Sequence, residues 1–161
     1  MSYLLPVHQT VALKKEFRAG NIMVFRSAKL DLTPSTRWDL DNTSVNIMSA
    51  SNDYLLHISI RRAHNSIVFN SKRANGSWDR DERITLEGLF VNGLHTTITV
   101  YDHGDRFQVL IDYNTVHYYV KRFQGNGTDV LYECDIDVSV FSDTLAVTTY
   151  DSFANIIPSC A

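Results

Sequence analysis

The sequence predicts an all-β chain, a sandwich or barrel of many short strands, and three observations carry that reading. First, the chain holds eight Tyr, eight Phe and two Trp but only three Pro and seven Gly, and aromatic side chains favour pleated surfaces. Second, its apolar residues recur with a period of two, and no segment keeps a period of 3.6 over three turns. Third, turn signals interrupt the alternation every ~8–12 residues, the spacing of an all-β sandwich or barrel. A single sheet of this size would leave one apolar face wet, whereas two antiparallel sheets packed face to face bury both inner faces.

The elements follow in chain order. Ile22–Phe25 and Ser44–Ser49 read as strands, separated by an irregular polar loop over 33–43. In Leu56 to Arg61, apolar Leu56, Ile58 and Ile60 alternate with His57, Ser59 and Arg61. In Ser66 to Asn70, Ile67 and Phe69 alternate with Ser66, Val68 and Asn70. A turn-rich stretch from Lys72 to Gly76 precedes Trp78, and Leu86–Phe90 is expected to make one short helical turn. Thr96–Asp102, Arg106–Asp112 and Thr115–Lys121 are three further strands, the last two with clear alternation. Two glycines flank Asn126 in Gln124–Asp129, which reads as a hairpin turn. Val130–Glu133 and Leu145–Tyr150 complete the set.

The 161 residues show no composition break, repeat or linker, so one domain spanning 1–161 is expected. The formal charge is -3 and no basic run occurs, which disfavours nucleic acid and anionic membranes as partners. Two cysteines, Cys134 and Cys160, make neither a disulfide framework nor, alone, a zinc site, so no metal or cofactor is expected. His103, in the run DHGD, reads as a turn residue. Met1 to Val11 lacks the basic flank and apolar run of a signal peptide, and no stretch approaches the ~20 apolar residues of a membrane helix. Cytoplasmic synthesis without membrane insertion is therefore expected, and any extracellular or cell-wall role would need a non-classical export route.

The chemistry concentrates between residues 57 and 83. His57, Ser59 and Arg61 stand at i, i+2 and i+4 and so project side by side, with about 13 Å between the Cα atoms of the outer two. An antiparallel hairpin brings Asn70 into their neighbourhood, and Trp78, Asp81 and Arg83 follow after a loop. A sugar asks for that combination: hydroxyls exchange hydrogen bonds with arginines, amides and carboxylates, and the C–H face of a pyranose packs on an indole. The bland reading of a polar row on a strand is a solvated face. Asp79, Asp81 and Glu82 do not read as a glycosidase pair, which needs two carboxyls ~5–9.5 Å apart across a scissile bond. No enzyme is expected.

The stretch HISIRR…VFNSKRANGSWDRDERI resembles the sugar-binding signature of galectins, in particular those of mushroom-forming fungi. The family pattern is His-x-Asn/Ser-x-Arg, then Val-x-Asn, then Trp-Gly-x-Glu-x-Arg. Its positions fall here on His57, Ser59 and Arg61, on Val68 and Asn70, and on Trp78, Asp81 and Arg83. VFRSAKLDL, DNTSVNI, VYDHGDRFQVLIDYNTVHYY and VFSDTLAVTTY look like the same fungal galectins and their chitooligosaccharide-binding relatives. The resemblance implies a jelly-roll sandwich of two antiparallel sheets and a lectin for β-galactosides. By the same carry-over, His57 and Arg61 would bind the galactose 4-hydroxyl and Asn70 the 6-hydroxyl. Trp78 would stack on the ring, and Asp81 and Arg83 would contact the next sugar. The family expectation extends to homodimers or homotetramers that crosslink glycans, and to a role in fungal defence. Asp81 stands where the family has Glu, and Asp79 where it has Gly. Two alternatives stay open beside the galactoside: an N-acetylated ligand (chitooligosaccharide or LacdiNAc), and a protein-interaction module with a degenerate sugar site.

Overall fold

The computed structural model describes residues 1–91 and 93–155. Cys160 lies outside them. Twelve strands run in chain order: β1 (Ser2–Pro6), β2 (Gln9–Phe17), β3 (Ile22–Ser27), β4 (Asn42–Met48), β5 (Tyr54–Arg61), β6 (Ser66–Lys72), β7 (Glu82–Thr85), β8 (Thr96–Asp102), β9 (Arg106–Ile111), β10 (Asn114–Val120), β11 (Gly127–Cys134) and β12 (Thr144–Tyr150). They form two six-stranded sheets in the orders β1-β12-β3-β8-β9-β10 and β2-β11-β4-β5-β6-β7. Every pairing within them is antiparallel. The expected two-sheet sandwich is what forms.

The period of two explains the core. Leu56, Ile58 and Ile60 of β5, Ile67 and Phe69 of β6, and Val45 and Ile47 of β4 all point inward from one sheet. Met23 and Phe25, Ile98 and Val100, and Phe107, Val109 and Ile111 meet them from the other. Each is at most 3% exposed, so the inner faces are dry and the alternate residues are released to the outside.

Five segments differ from the sequence expectation. Strands β1, β2 and β7 were not foreseen: β2 is mostly exposed and β7 reads ERIT, so neither shows a clean apolar alternation. Leu86–Phe90 is no helical turn but a tight turn closed by the Leu89 amide on the Leu86 carbonyl at 3.1 Å. Gln124–Asp129 is no hairpin either: it carries the chain from β10 in one sheet to β11 in the other, and its last residues already belong to β11. The tight hairpin lies instead between β9 and β10, where Asp112 and Tyr113 both take positive φ (49° and 65°), the geometry of a type I′ turn.

A buried ion pair pins the loop before β4. Arg62, in the 3-10 turn after β5, donates to Asp41 Oδ1 from Nε at 2.8 Å and Nη2 at 2.6 Å, and both side chains are 1% exposed. Arg62 also donates to the carbonyls of Asp31 and Val138, so that four of its five N–H protons have named acceptors.

Candidate functional site

The polar rows of β4, β5, β6 and β7 share the outer face of the second sheet. Register aligns Asn46 with His57 and His57 with Asn70, then Ser44 with Ser59, Ser59 with Val68, and Val68 with Arg83. Two adjoining depressions of about 300 and 220 Å³ open on this face. His57, Arg61 and Trp78 line both; Asn70 and Asp81 line the first together with Val68, Asp79 and Arg80, and Ser59 lines the second. Six of the seven expected residues therefore meet in one groove. The seventh, Arg83, stands at its rim, where its Nε donates to Asp81 Oδ2 at 2.9 Å.

Each side chain is held by partners that set its chemistry. The Asn46 amide nitrogen donates to Ser44 Oγ and to the Leu131 carbonyl, which turns its oxygen toward His57 Nδ1, 2.6 Å away. His57 must therefore carry its proton on Nδ1, which leaves Nε2 as a free acceptor. Burial, and secondarily the charge of Arg61, push the His57 pKa down to about 3, so the ring is neutral. Arg61 is tethered only weakly, Nε to Ser59 Oγ at 3.4 Å. Its terminal nitrogens make no hydrogen bond among the described residues.

Asn70 is 5% exposed. Its oxygen accepts from the Ser71 amide, and its nitrogen donates to the Asp79 carbonyl at 2.7 Å. One N–H proton is left over. Trp78 is 44% exposed, and its ring is packed by His57 (centroids 4.4 Å apart, planes tilted by 37°) and Tyr54 (4.9 Å, edge-on), with Lys72 Nζ 5.5 Å from its centroid. The exposed part of the indole is flat apolar surface beside the free donors and acceptors.

Asp81 and Glu82 are adjacent in sequence but diverge in space. Arg83 pairs with Val68 and Glu82 with Phe69, a core residue. Glu82 thus turns to the open edge of the sandwich, where it accepts from His117 Nε2 at 2.8 Å and Arg122 Nη2 at 2.9 Å. Asp81, two residues before Arg83, stays on the groove side. Glu82 does not replace it there.

Asn46, Tyr54 and Arg122 were not singled out by the sequence reading. The first two lie in or beside expected strands, one on β4 and one opening β5, and alternation alone places Asn46 on the outer face. Arg122 comes from the opposite sheet's side and carries no local signal.

The groove offers a ring platform, a neutral imidazole acceptor, a free guanidinium, an amide and a carboxylate. It can hold a small polyhydroxylated ring reversibly. Among the described residues there is no group of three or more His, Cys, Asp or Glu placed to hold a metal ion.

Comparison with known proteins agrees with this geometry. The family model described as "Galactoside-binding lectin" matches residues 8–142. Galectin-1 of Coprinopsis cinerea is 39% identical over 147 residues, covering 91% of this chain and 92% of that protein. The "Anti-tumor lectin" of Cyclocybe aegerita is 31% identical over 154 residues, 94% of this chain and 97% of that one. Among solved structures, Caenorhabditis elegans galectin LEC-6 superposes with a TM-score of 0.69 over 92% of this chain and 95% of that one. At 14% identity, that likeness speaks for the fold alone.

Proposed function

We propose a mode of sugar recognition from one premise: the chain belongs to the galactoside-binding lectin family, the galectins, and is a β-galactoside-binding lectin without enzymatic activity. The galactose ring lies with its C–H face on the exposed face of Trp78. Its 4-hydroxyl donates to His57 Nε2 and accepts from the Arg61 guanidinium. The spare Asn70 N–H meets the 6-hydroxyl. Asp81 and Arg83, already paired, reach the following sugar, and Ser59 orients Arg61 from below. The observation that carries this reading is the Ser44–Asn46–His57 chain of hydrogen bonds, which leaves an acceptor facing the Trp78 platform. A 4-hydroxyl on the face of the ring that meets this acceptor distinguishes galactose from glucose.

Few sugar atoms are enclosed in so shallow a groove, so single-site affinity is weak. Biological effect then rests on several sites per assembly, and we read the working form as a homodimer or homotetramer that crosslinks glycans. Titration calorimetry with lactose, N-acetyllactosamine and chitotriose tests the reading. Both galactosides bind and chitotriose does not. Trp78→Ala weakens lactose at least tenfold, about 1.4 kcal/mol. Chitotriose binding alone, or a folded Trp78→Ala variant of unchanged affinity, overturns it.

A further inference from the structure

The segment that carries Trp78 and Asp81 is bound to a side chain from outside its own sheet. Arg122 lies after β10, in the link that crosses between the sheets. Its Nη1 donates to the Arg80 carbonyl and lies 3.1 Å from Asp79 Oδ2. The same nitrogen reaches Asn70 Oδ1 at 3.3 Å, and Nη2 reaches Glu82 Oε2 at 2.9 Å. The guanidinium is 17% exposed. One planar cation thus holds residues 79, 80 and 82, which flank the ligand-facing Asp81, together with the amide that faces the sugar.

We infer that Arg122 is a positioning residue of the sugar site, and that Asp79, where the family pattern has Gly, is its partner. The inference rests on the galactoside reading for its effect on affinity. A fork of this kind suits arginine alone: its donors are fixed in a plane and serve several oxygens at once, whereas a lysine ammonium is a point charge on a flexible stem. Asp79 is also tied through its own amide to the Ser71 carbonyl at 3.2 Å, so its side chain and backbone together anchor the start of the loop to β6 and to Arg122. A loop already ordered before the sugar arrives forfeits less entropy on binding. The acid at 79, which itself lines the first depression, therefore helps to bind sugar by ordering the loop.

The experiment uses the full chain in a Trp38→Phe background, so that Trp78 is the only indole. Lactose affinity by calorimetry and acrylamide quenching of Trp78 in the sugar-free protein are compared for the parent, Arg122→Ala, Arg122→Lys and Asp79→Ala. Arg122→Ala is expected to weaken lactose at least tenfold and to raise the quenching constant, while Arg122→Lys restores only part of either. Asp79→Ala, which removes one partially exposed partner, is expected to weaken lactose three- to tenfold, and it carries the test if Arg122→Ala fails to fold. Unchanged affinity and quenching in folded Arg122→Ala and Asp79→Ala overturn the inference. A parent that binds no lactose overturns the galactoside reading instead, and the quenching comparison still decides the clamp.

Discussion

The neutrality of His57 makes a prediction that acidification can test. Lower the pH from 8 to 5 and follow lactose affinity by calorimetry. An ordinary imidazole, titrating near ~6.5, would be about 97% protonated at pH 5, and a proton on Nε2 removes the acceptor. Affinity would fall about 30-fold with a midpoint near that pKa. With the folded pKa near 3, only about 1% of the ring is protonated at pH 5, and affinity stays flat. Stability behaves in the opposite way. The unfolded chain takes up the His57 proton as pH falls through ~6.5, and the folded protein does not, so the contribution present above that pH is lost progressively toward pH 3. Between pH 7.5 and 5 the loss is about 2 kcal/mol at ~1.4 kcal/mol per unit. Urea melts of the parent and of His57→Gln measure it, the variant losing less over the same interval by that amount. An affinity midpoint near 6.5, or equal losses in the two proteins, refutes the assignment of a buried neutral ring.

Two further predictions concern the scaffold. Asp41→Ala leaves the Arg62 guanidinium buried without its carboxylate and should cost about 3–5 kcal/mol in chemical denaturation. Gly127→Ala puts a Cβ 2.7 Å from Ile47 Cγ2 and 3.1 Å from Phe17 Cβ. The start of β11 must shift, and a loss of about 1–3 kcal/mol with intact secondary structure is expected by thermal melt and circular dichroism.

Legibility in the sequence followed the range of the signal. The β5 row and Asn70 could be read directly, because alternation places i, i+2 and i+4 on one face and a hairpin of nearby strands fixes the register. Trp78, Asp81 and Arg83 came from the family pattern rather than from periodicity, since the segment before β7 has none. Asn46 is legible by the same rule: its strand is expected, and alternation along β4 puts it on the outer face beside His57. Arg122 was not, because its contacts with Asn70 and Glu82 span 52 and 40 residues and join two sheets. The glycines in QGNGTD marked a turn of the chain correctly but not its destination. Turn chemistry is local, and which sheet receives the next strand is decided by the packing of the whole sandwich.

The divergence of Asp81 and Glu82 separates recognition from support within two residues. Two neighbouring carboxylates are sorted by parity, one to the groove and one to the scaffold. Replacing a residue in this stretch alters the chemistry at one address. A substitution here is therefore read at one place only: at 81 it meets the groove, and at 82 it meets His117 and Arg122.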